Sequence, residues 1–315
     1  DSPTSDKVKQ DTKFVDYFAL NSQIKGKFSN WDFEIDKELY SFDPEKFSDA
    51  IRVKSNLSKE ITFLNSKWDN SFYGVYRDRV WNGSIGEAEI YLGYGSKLEK
   101  QNTWEVNGIR KSQKFSLGLA NLKGEALNSK NLVTNLKGNL FYSFDQNFPI
   151  QVDYPSTKFI DSSYKYIAKP IKKGISLNSK VELLYSLYET RNSQKYIGFG
   201  AGPEFVFGNF KQKYFDYTRI SLLPFYKIKD GDSIFKFDQI SDLFTLDIAL
   251  DQQLYGPLIL NSIATLNLDS NSKNYGRFIS SKISLDWKRR SYEFGIFYQP
   301  HNQAGGIAFT LFGFK

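Results

Sequence analysis

The chain of 315 residues contains no cysteine, no methionine and one histidine. Without cysteine there is neither a disulfide framework nor a thiolate metal site. The missing methionine sets the expectation of a processed or excised chain whose signal peptide, if one existed, has been removed. The single histidine, His301, would have to serve any histidine-dependent acid–base or nucleophilic chemistry. Its neighbours Pro300, Asn302 and Gln303 make it read as a solvated turn residue. Ser291 or an aspartate could in principle join it, yet no spacing supports that. No catalytic residue is therefore assigned, and no enzyme activity, cofactor or metal is expected. Asp230-Gly231-Asp232 reads as a turn, because the twelve-residue calcium-loop pattern is absent. Gly198-x-Gly200-x-Gly202 lacks the helix of a dinucleotide fingerprint.

Long apolar runs are also missing. No segment approaches the ~18–20 consecutive apolar residues of a membrane-spanning helix. The charge is only mildly one-sided, +7 from 42 basic and 35 acidic residues. The lysines are spread rather than clustered, so nucleic acid is not an expected partner.

Aromatic residues are abundant: 28 Phe, 20 Tyr and 5 Trp make up 17% of the chain. Mean hydropathy is nonetheless negative. In a soluble globule a core this aromatic would come with a more apolar composition throughout. A barrel with an apolar outer face and a wet interior reconciles the two.

The dominant period is two. Trp31, Phe33 and Ile35 alternate with Asp32, Glu34 and Asp36. Ala88, Ile90, Leu92 and Tyr94 form one face, with Glu87, Glu89, Tyr91 and Gly93 on the other. A soluble sandwich would turn such an apolar side to a second sheet, and a barrel would turn it to lipid. Alternation alone does not choose. Strands are expected to start near Ile51 and again near Ile61, with turns at Ser41–Glu45, Asn82-Gly83 and Asn107-Gly108, since Asn-Gly tolerates positive φ at both positions. A weak strand falls in Asn121–Lys137. Residues 145–174, with Pro149, Pro155 and Pro170, read as a long loop over or into a lumen. Gly198, Gly200 and Gly202 on one face mark a close approach by another backbone or a bulky side chain. The phase change at Lys288–Ser291 is read as a turn rather than a bulge. The count is roughly 14 to 18 strands of about 8–11 residues, the length that crosses an apolar band when tilted. The expected fold is all-β, a single antiparallel transmembrane β-barrel with long loops. A flexible lead-in covers residues 1–16 and the barrel domain residues 17–315.

The last quarter carries a resemblance. Tyr292, Phe294, Ile296 and Tyr298 alternate with Glu293, Gly295 and Phe297, and a strand from Ile307 to Phe314 follows. A closing amphipathic strand with Phe312 and Phe314 on one face resembles the C-terminal strand of outer-membrane β-barrels.

Further segments are similar to a cyanobacterial family of outer-membrane proteins related to LptD, the barrel that delivers lipopolysaccharide to the cell surface. They are Tyr76-Arg77-Asp78-Arg79-Val80-Trp81-Asn82-Gly83-Ser84-Ile85-Gly86, Phe215-Asp216-Tyr217-Thr218, Gln252-Gln253-Leu254-Tyr255-Gly256-Pro257 through Leu266-Asn267-Leu268-Asp269, Arg289-Arg290-Ser291-Tyr292 and Gly305-Gly306-Ile307-Ala308-Phe309. The resemblance implies an integral outer-membrane protein that passes lipopolysaccharide or a similar amphiphile through its lumen and a lateral seam, without covalent chemistry. Its implied partners are outer-membrane lipids, lipopolysaccharide among them, and periplasmic transport-bridge proteins. The sequence departs from that pattern in having no jelly-roll segment and no cysteine to tether one. A passive porin for small solutes is the alternative. The candidate binding residues are Glu87 and Glu89 on a wet wall, Arg289 and Arg290 at a lipid edge, Gly305 and Gly306 at the seam, and Phe312 and Phe314 in the closing strand.

Overall fold

Side-chain alternation of period two dictates extended backbone, and extended backbone accounts for almost all of the regular structure. The computed structural model describes residues 20–39, 51–63, 65–153, 171–208, 210, 212–289 and 292–311. Fifteen strands follow in chain order: β1 (Leu20–Phe28), β2 (Trp31–Leu39), β3 (Ile51–Phe63), β4 (Ser66–Asn82), β5 (Gly86–Val106), β6 (Ile109–Glu125), β7 (Leu132–Asp153), β8 (Lys173–Tyr188), β9 (Ser193–Phe207), β10 (Thr218–Gly231), β11 (Phe244–Tyr255), β12 (Leu258–Asn267), β13 (Phe278–Lys288), β14 (Tyr292–Gln299) and β15 (Ala304–Leu311). They form one antiparallel sheet in which each strand pairs with its neighbours in sequence. Among the described residues no ladder joins β15 to β1, and no helix is long and apolar enough to cross a membrane.

The two ends of the sheet differ. One, the turn end, carries tight reversals at Ser29–Asn30, Asn107–Gly108 and Gly256–Pro257. Asn107 and Gly108 have φ of 52° and 77°, the pair of positive values that a two-residue hairpin demands. The opposite end carries the β4–β5, β10–β11, β12–β13 and β14–β15 connections, which fold against one another. The Trp81 indole N–H donates to the Ile279 carbonyl at 2.6 Å, and the Trp81 ring lies 4.8 Å from that of His301. In a flat sheet β4 and β13 would stand roughly 40 Å apart at ~4.8 Å per strand. The sheet is therefore rolled, with a concave and a convex side.

Register shows what each side carries. Phe115, Tyr142, Leu183, Ile197 and Ile228 stand opposite one another across β6 to β10 on the convex side. Phe144, Val181, Phe199, Tyr226 and Phe244 form a second such row. Val181, Ile197, Phe199, Tyr226 and Ile228 are exposed, Ile197 to 54% and Ile228 to 59%, and the others are half-buried. One residue over, the concave row reads Lys114, Ser143, Glu182, Gly198, Lys227. The buried apolar cluster of Ala88, Ala120, Leu122, Tyr188, Phe235 and Phe237 sits inside the roll at the end away from the tight turns.

The strands run longer than the expected 8–11 residues, to 22 in β7 and 21 in β5. Polar residues continue the period of two where the apolar ones stop. Ile51–Phe63 is one strand, not two. The first nine residues of the expected loop, 145–153, are strand: β7 continues to Asp153, with a register shift between Pro149 and Gln151 where the proline falls. Residues 154–170, the lead-in 1–16 and the turn Ser41–Glu45 lie outside the described residues. The phase change after Lys288 is a turn between β13 and β14, as expected.

The face assigned to residues 88–94 needs correcting. A bulge between Ile90 and Leu92 against β6, opposite a kink at Arg77 (φ 54°), switches the alternation. Ala88 and Ile90 face the concave cluster, whereas Leu92 and Tyr94 point to the convex side, 46% and 59% exposed. The three glycines of β9 behave as expected: a Cβ at Gly198 would come within 2.6 Å of the Phe225 ring, and one at Gly200 within 2.8 Å.

Candidate functional site

The feature most loaded with buried polar chemistry is the loop of residues 232–243 between β10 and β11. Gly231, at φ 74°, ends β10 and turns the chain inward. The Ser233 hydroxyl accepts from the Phe235 amide at 2.9 Å, shaping a short 3₁₀ turn over Lys236–Asp238. Phe235, fully buried, stacks on Phe237 at 4.9 Å and meets Tyr188 edge-on at 6.1 Å. β6 makes room with Gly124, where a Cβ would lie 2.8 Å from the Phe237 ring.

Polar side chains then stitch this loop across the roll. Gln194, fully buried in β9, donates to the Asp238 carbonyl and accepts from the Ile240 amide, both at 2.9 Å. Asn82 at the end of β4 donates to the carbonyls of Lys236 and Gln239 at 2.8 and 2.9 Å. The Asp238 carboxylate takes the Tyr188 hydroxyl at 2.9 Å and the Lys137 ammonium. Asp242 accepts from the Ser84 amide at 3.0 Å, the Ser84 hydroxyl, and Asn267 Nδ2 at 2.7 Å. Strands from β4 to β12 thus share one internal strap. At its entrance the Lys229 ammonium, followed by the Gln239 amide, holds the Asp232 carboxyl below the usual aspartate range.

Toward the turn end the concave face opens into a cavity of about 730 Å³, lined among others by Arg110, Asp145, Asn147, Lys180, Glu204 and Arg219. Its charges are mostly matched. Arg219 reaches Glu204 at 2.7 Å and Asp251 at 3.1 Å, and Lys180 reaches Glu182 at 2.6 Å. Asn147 donates to Ser176 and Asn178 at 2.8 and 2.7 Å. Pairing of this kind keeps buried charges solvated by one another and leaves a hydrated wall. Beyond the cavity, Tyr217 stacks on Phe210 at 4.7 Å, and burial pushes its phenol up to about 12. Gln253, fully buried, accepts from the Asp216 amide at 3.1 Å and donates to the Gly256 carbonyl at 2.9 Å, fixing the β9–β10 connection.

The residues singled out from sequence do not converge. Glu87 and Glu89 alternate with the inward Ala88, so they stand off the concave wall. Each holds an arginine: Arg79 to Glu87 at 3.1 Å, Arg77 to Glu89 at 2.8 Å, with Arg52 3.6 Å from Glu89. Arg289 lies at the turn end with its guanidinium 5.3 Å from the Trp287 ring centre. Gly305 and Gly306 are in edge strand β15, opposite Tyr298 and Phe297. Arg290, Ser291, Phe312 and Phe314 lie outside the described residues. His301 is not merely solvated, since its Nδ1 sits within 2.9 Å of both the amide and the carbonyl of Ser281, and its ring packs on Trp81.

Sequence reasoning missed Asp238, Asp242, Gln194 and the strap as a whole. The available signal was Phe235 and Phe237 set among Asp230, Asp232, Asp238 and Asp242, too apolar for a solvated loop. Gln253 and Asn267 fall in segments that carried the resemblance.

A family model described as "Protein of unknown function (DUF3769)" matches residues 4–315. The chain belongs to the DUF3769 family. That match spans the rolled sheet and the strap together, so the strap is part of a DUF3769 chain and not an appendage to it. The DUF3769 description names no activity and no relation to lipopolysaccharide assembly. No curated protein matches the chain.

Proposed function

We propose that this DUF3769 chain is an integral outer-membrane β-barrel, closed between β1 and β15, that delivers lipopolysaccharide or a similar amphiphile to the outer leaflet. The observation that carries the reading is the inverted distribution of polarity. The convex rows through β6 to β11 are large and apolar, with Val181, Ile197, Phe199, Tyr226 and Ile228 exposed, while the concave face holds matched charges and amides. Each such side chain gains about 1.5–3 kcal/mol on leaving water, so a surface of them calls for acyl chains or a partner sheet, and every strand among the described residues already belongs to this one sheet. Alternating lipid-facing and lumen-facing residues is the pattern of a transmembrane barrel.

Two features favour delivery of an amphiphile over passive diffusion of solutes. The 232–243 strap obstructs one end of the lumen. Among the described residues the edge strands are short, nine residues in β1 and eight in β15, and they expose Ile24 (58%) and Ile307 (70%). Short terminal ladders weaken a seam through which acyl chains leave sideways while head groups keep to the hydrated interior. The reaction is binding and passage, with no covalent step.

The test begins with detergent-refolded protein on a gel. A closed barrel migrates differently before and after boiling, and identical migration with good solubility in plain buffer overturns the barrel. Photo-crosslinkers at Ile24 and Ile307 then capture lipopolysaccharide, while one at Ile197 on the far wall does not. Equal capture at all three, with a steady open conductance, overturns delivery in favour of a passive pore.

A further inference from the structure

The five tryptophans are unevenly placed. Trp81 is tied to Ile279 and His301 at the strapped end. Trp31, Trp68, Trp104 and Trp287 all stand at the turn end, at the termini of β2, β4, β5 and β13. Register puts these four on the convex side. Phe33, Leu57 and Phe72 form a convex row, and Trp31 and Trp68 lie two and four residues from it along their own strands. Trp104 shares a face with the exposed Val106, two residues on, and Trp287 is opposite the exposed Phe294.

Cations accompany them. Lys59 Nζ is 5.6 Å from the Trp31 ring centre, Lys100 Nζ 5.7 Å from that of Trp68, and Arg289 is over Trp287. The acids of the same strand segments, Asp32, Glu60, Asp69, Glu99, Glu105 and Asp286, all alternate to the concave side. There Lys67 meets Glu60 at 2.8 Å, Lys114 meets Glu99 at 2.9 Å and Lys172 meets Glu105 at 3.3 Å. At the strapped end no such sorting holds, because Glu87 and Glu89 lie off the concave wall and Asp230 shares its face with Lys195. Strands β13 and β2 to β5 flank the two edge strands, so the tryptophans and cations form an arc around the proposed seam.

We propose that this arc binds the phosphate-bearing head groups of lipids, at the turn end of the barrel and on either side of the seam. It rests on the barrel reading and adds to it a ligand and a place. Indole rings prefer the boundary between acyl chains and water. Lysine stems lie along apolar surface and lift their charge to the head-group level, and a guanidinium offers phosphate a two-pronged fork. Moving every carboxylate of these segments to the lumen side leaves the outer surface purely cationic, which discriminates anionic from zwitterionic lipid.

The full chain reconstituted in phosphatidylcholine, with or without phosphatidylglycerol, tests this by native mass spectrometry of retained lipid. Wild type retains phosphatidylglycerol in preference. The variant Lys59→Gln/Lys100→Gln/Arg289→Gln weakens retention by about fivefold per cation removed, and a control Lys37→Gln/Lys123→Gln at the strapped end retains as much as wild type. Equal retention by the triple variant, or equal loss in the control, overturns the inference while the barrel stands. A chain that does not insert into either membrane overturns both.

Discussion

Trp81 and Ile279 are 198 residues apart in sequence and nine strands apart in the sheet, yet the indole N–H of one meets the carbonyl of the other at 2.6 Å. The bond ties β4 to β13 across one end of the rolled sheet. Trp81→Phe keeps a ring for His301 to pack on and removes only the donor. Unfolding in urea from detergent micelles then shows a loss of about 1 kcal/mol. An unchanged midpoint would mean that the two strands do not meet.

Asp242 anchors the strap to the β4–β5 connection and to the end of β12. Asp242→Ala takes away the acceptor of the Ser84 amide and one of the three acceptors of Asn267 Nδ2, a cost of about 1–3 kcal/mol. Limited proteolysis should then cut within residues 232–243, and conductance across a planar bilayer should rise above that of wild type. A variant as protease-resistant and as closed as wild type would contradict the proposal that the strap blocks the lumen.

Gly198 lies under Phe225. Gly198→Ala forces the ring aside and destabilises by about 1–3 kcal/mol. Phe225→Leu in the same chain recovers part of that loss, although alone it is destabilising. Additive losses in the two single variants and the double variant would show that the ring does not lie on the glycine.

Asp232 gives the strap an acid dependence. Its folded pKa is depressed, first by the Lys229 hydrogen bond and then by that of Gln239. Its stabilising contribution is therefore complete above the unfolded value of ~3.9 and disappears as pH falls through the lower folded value. Unfolding measured from pH 6 down to pH 2 should show a shallower acid loss for Asp232→Asn than for wild type. Parallel profiles would remove this carboxylate from the account.

Much of the architecture is legible in the sequence because strand alternation is local. Phe144, Val181 and Ile228, each set between polar neighbours, announce their faces locally, and Asn107-Gly108 announces its turn from backbone sterics. Alternation puts Ala88 and Leu92 on one face because nothing in a period-two pattern marks a bulge; the ladder with β6 decides it. Pro149 suggests an end to β7 for the same reason, since only the partner strand shows that the register shifts there. The strap is illegible in a stronger sense. Asp238 finds Lys137 and Tyr188, and Asp242 finds Ser84, across separations of 50 to 158 residues, and no window along the chain contains both partners.

Strict neighbour-to-neighbour pairing from β1 to β15 has a consequence for assembly. Each ladder closes only a short stretch of chain, so the entropy lost at each step is small and strands can be laid down one after another from either edge. The 232–243 segment departs from that order, because its partners span β4 to β12. It can lock only once nine consecutive strands stand in place, which makes its docking a checkpoint on the rolled wall.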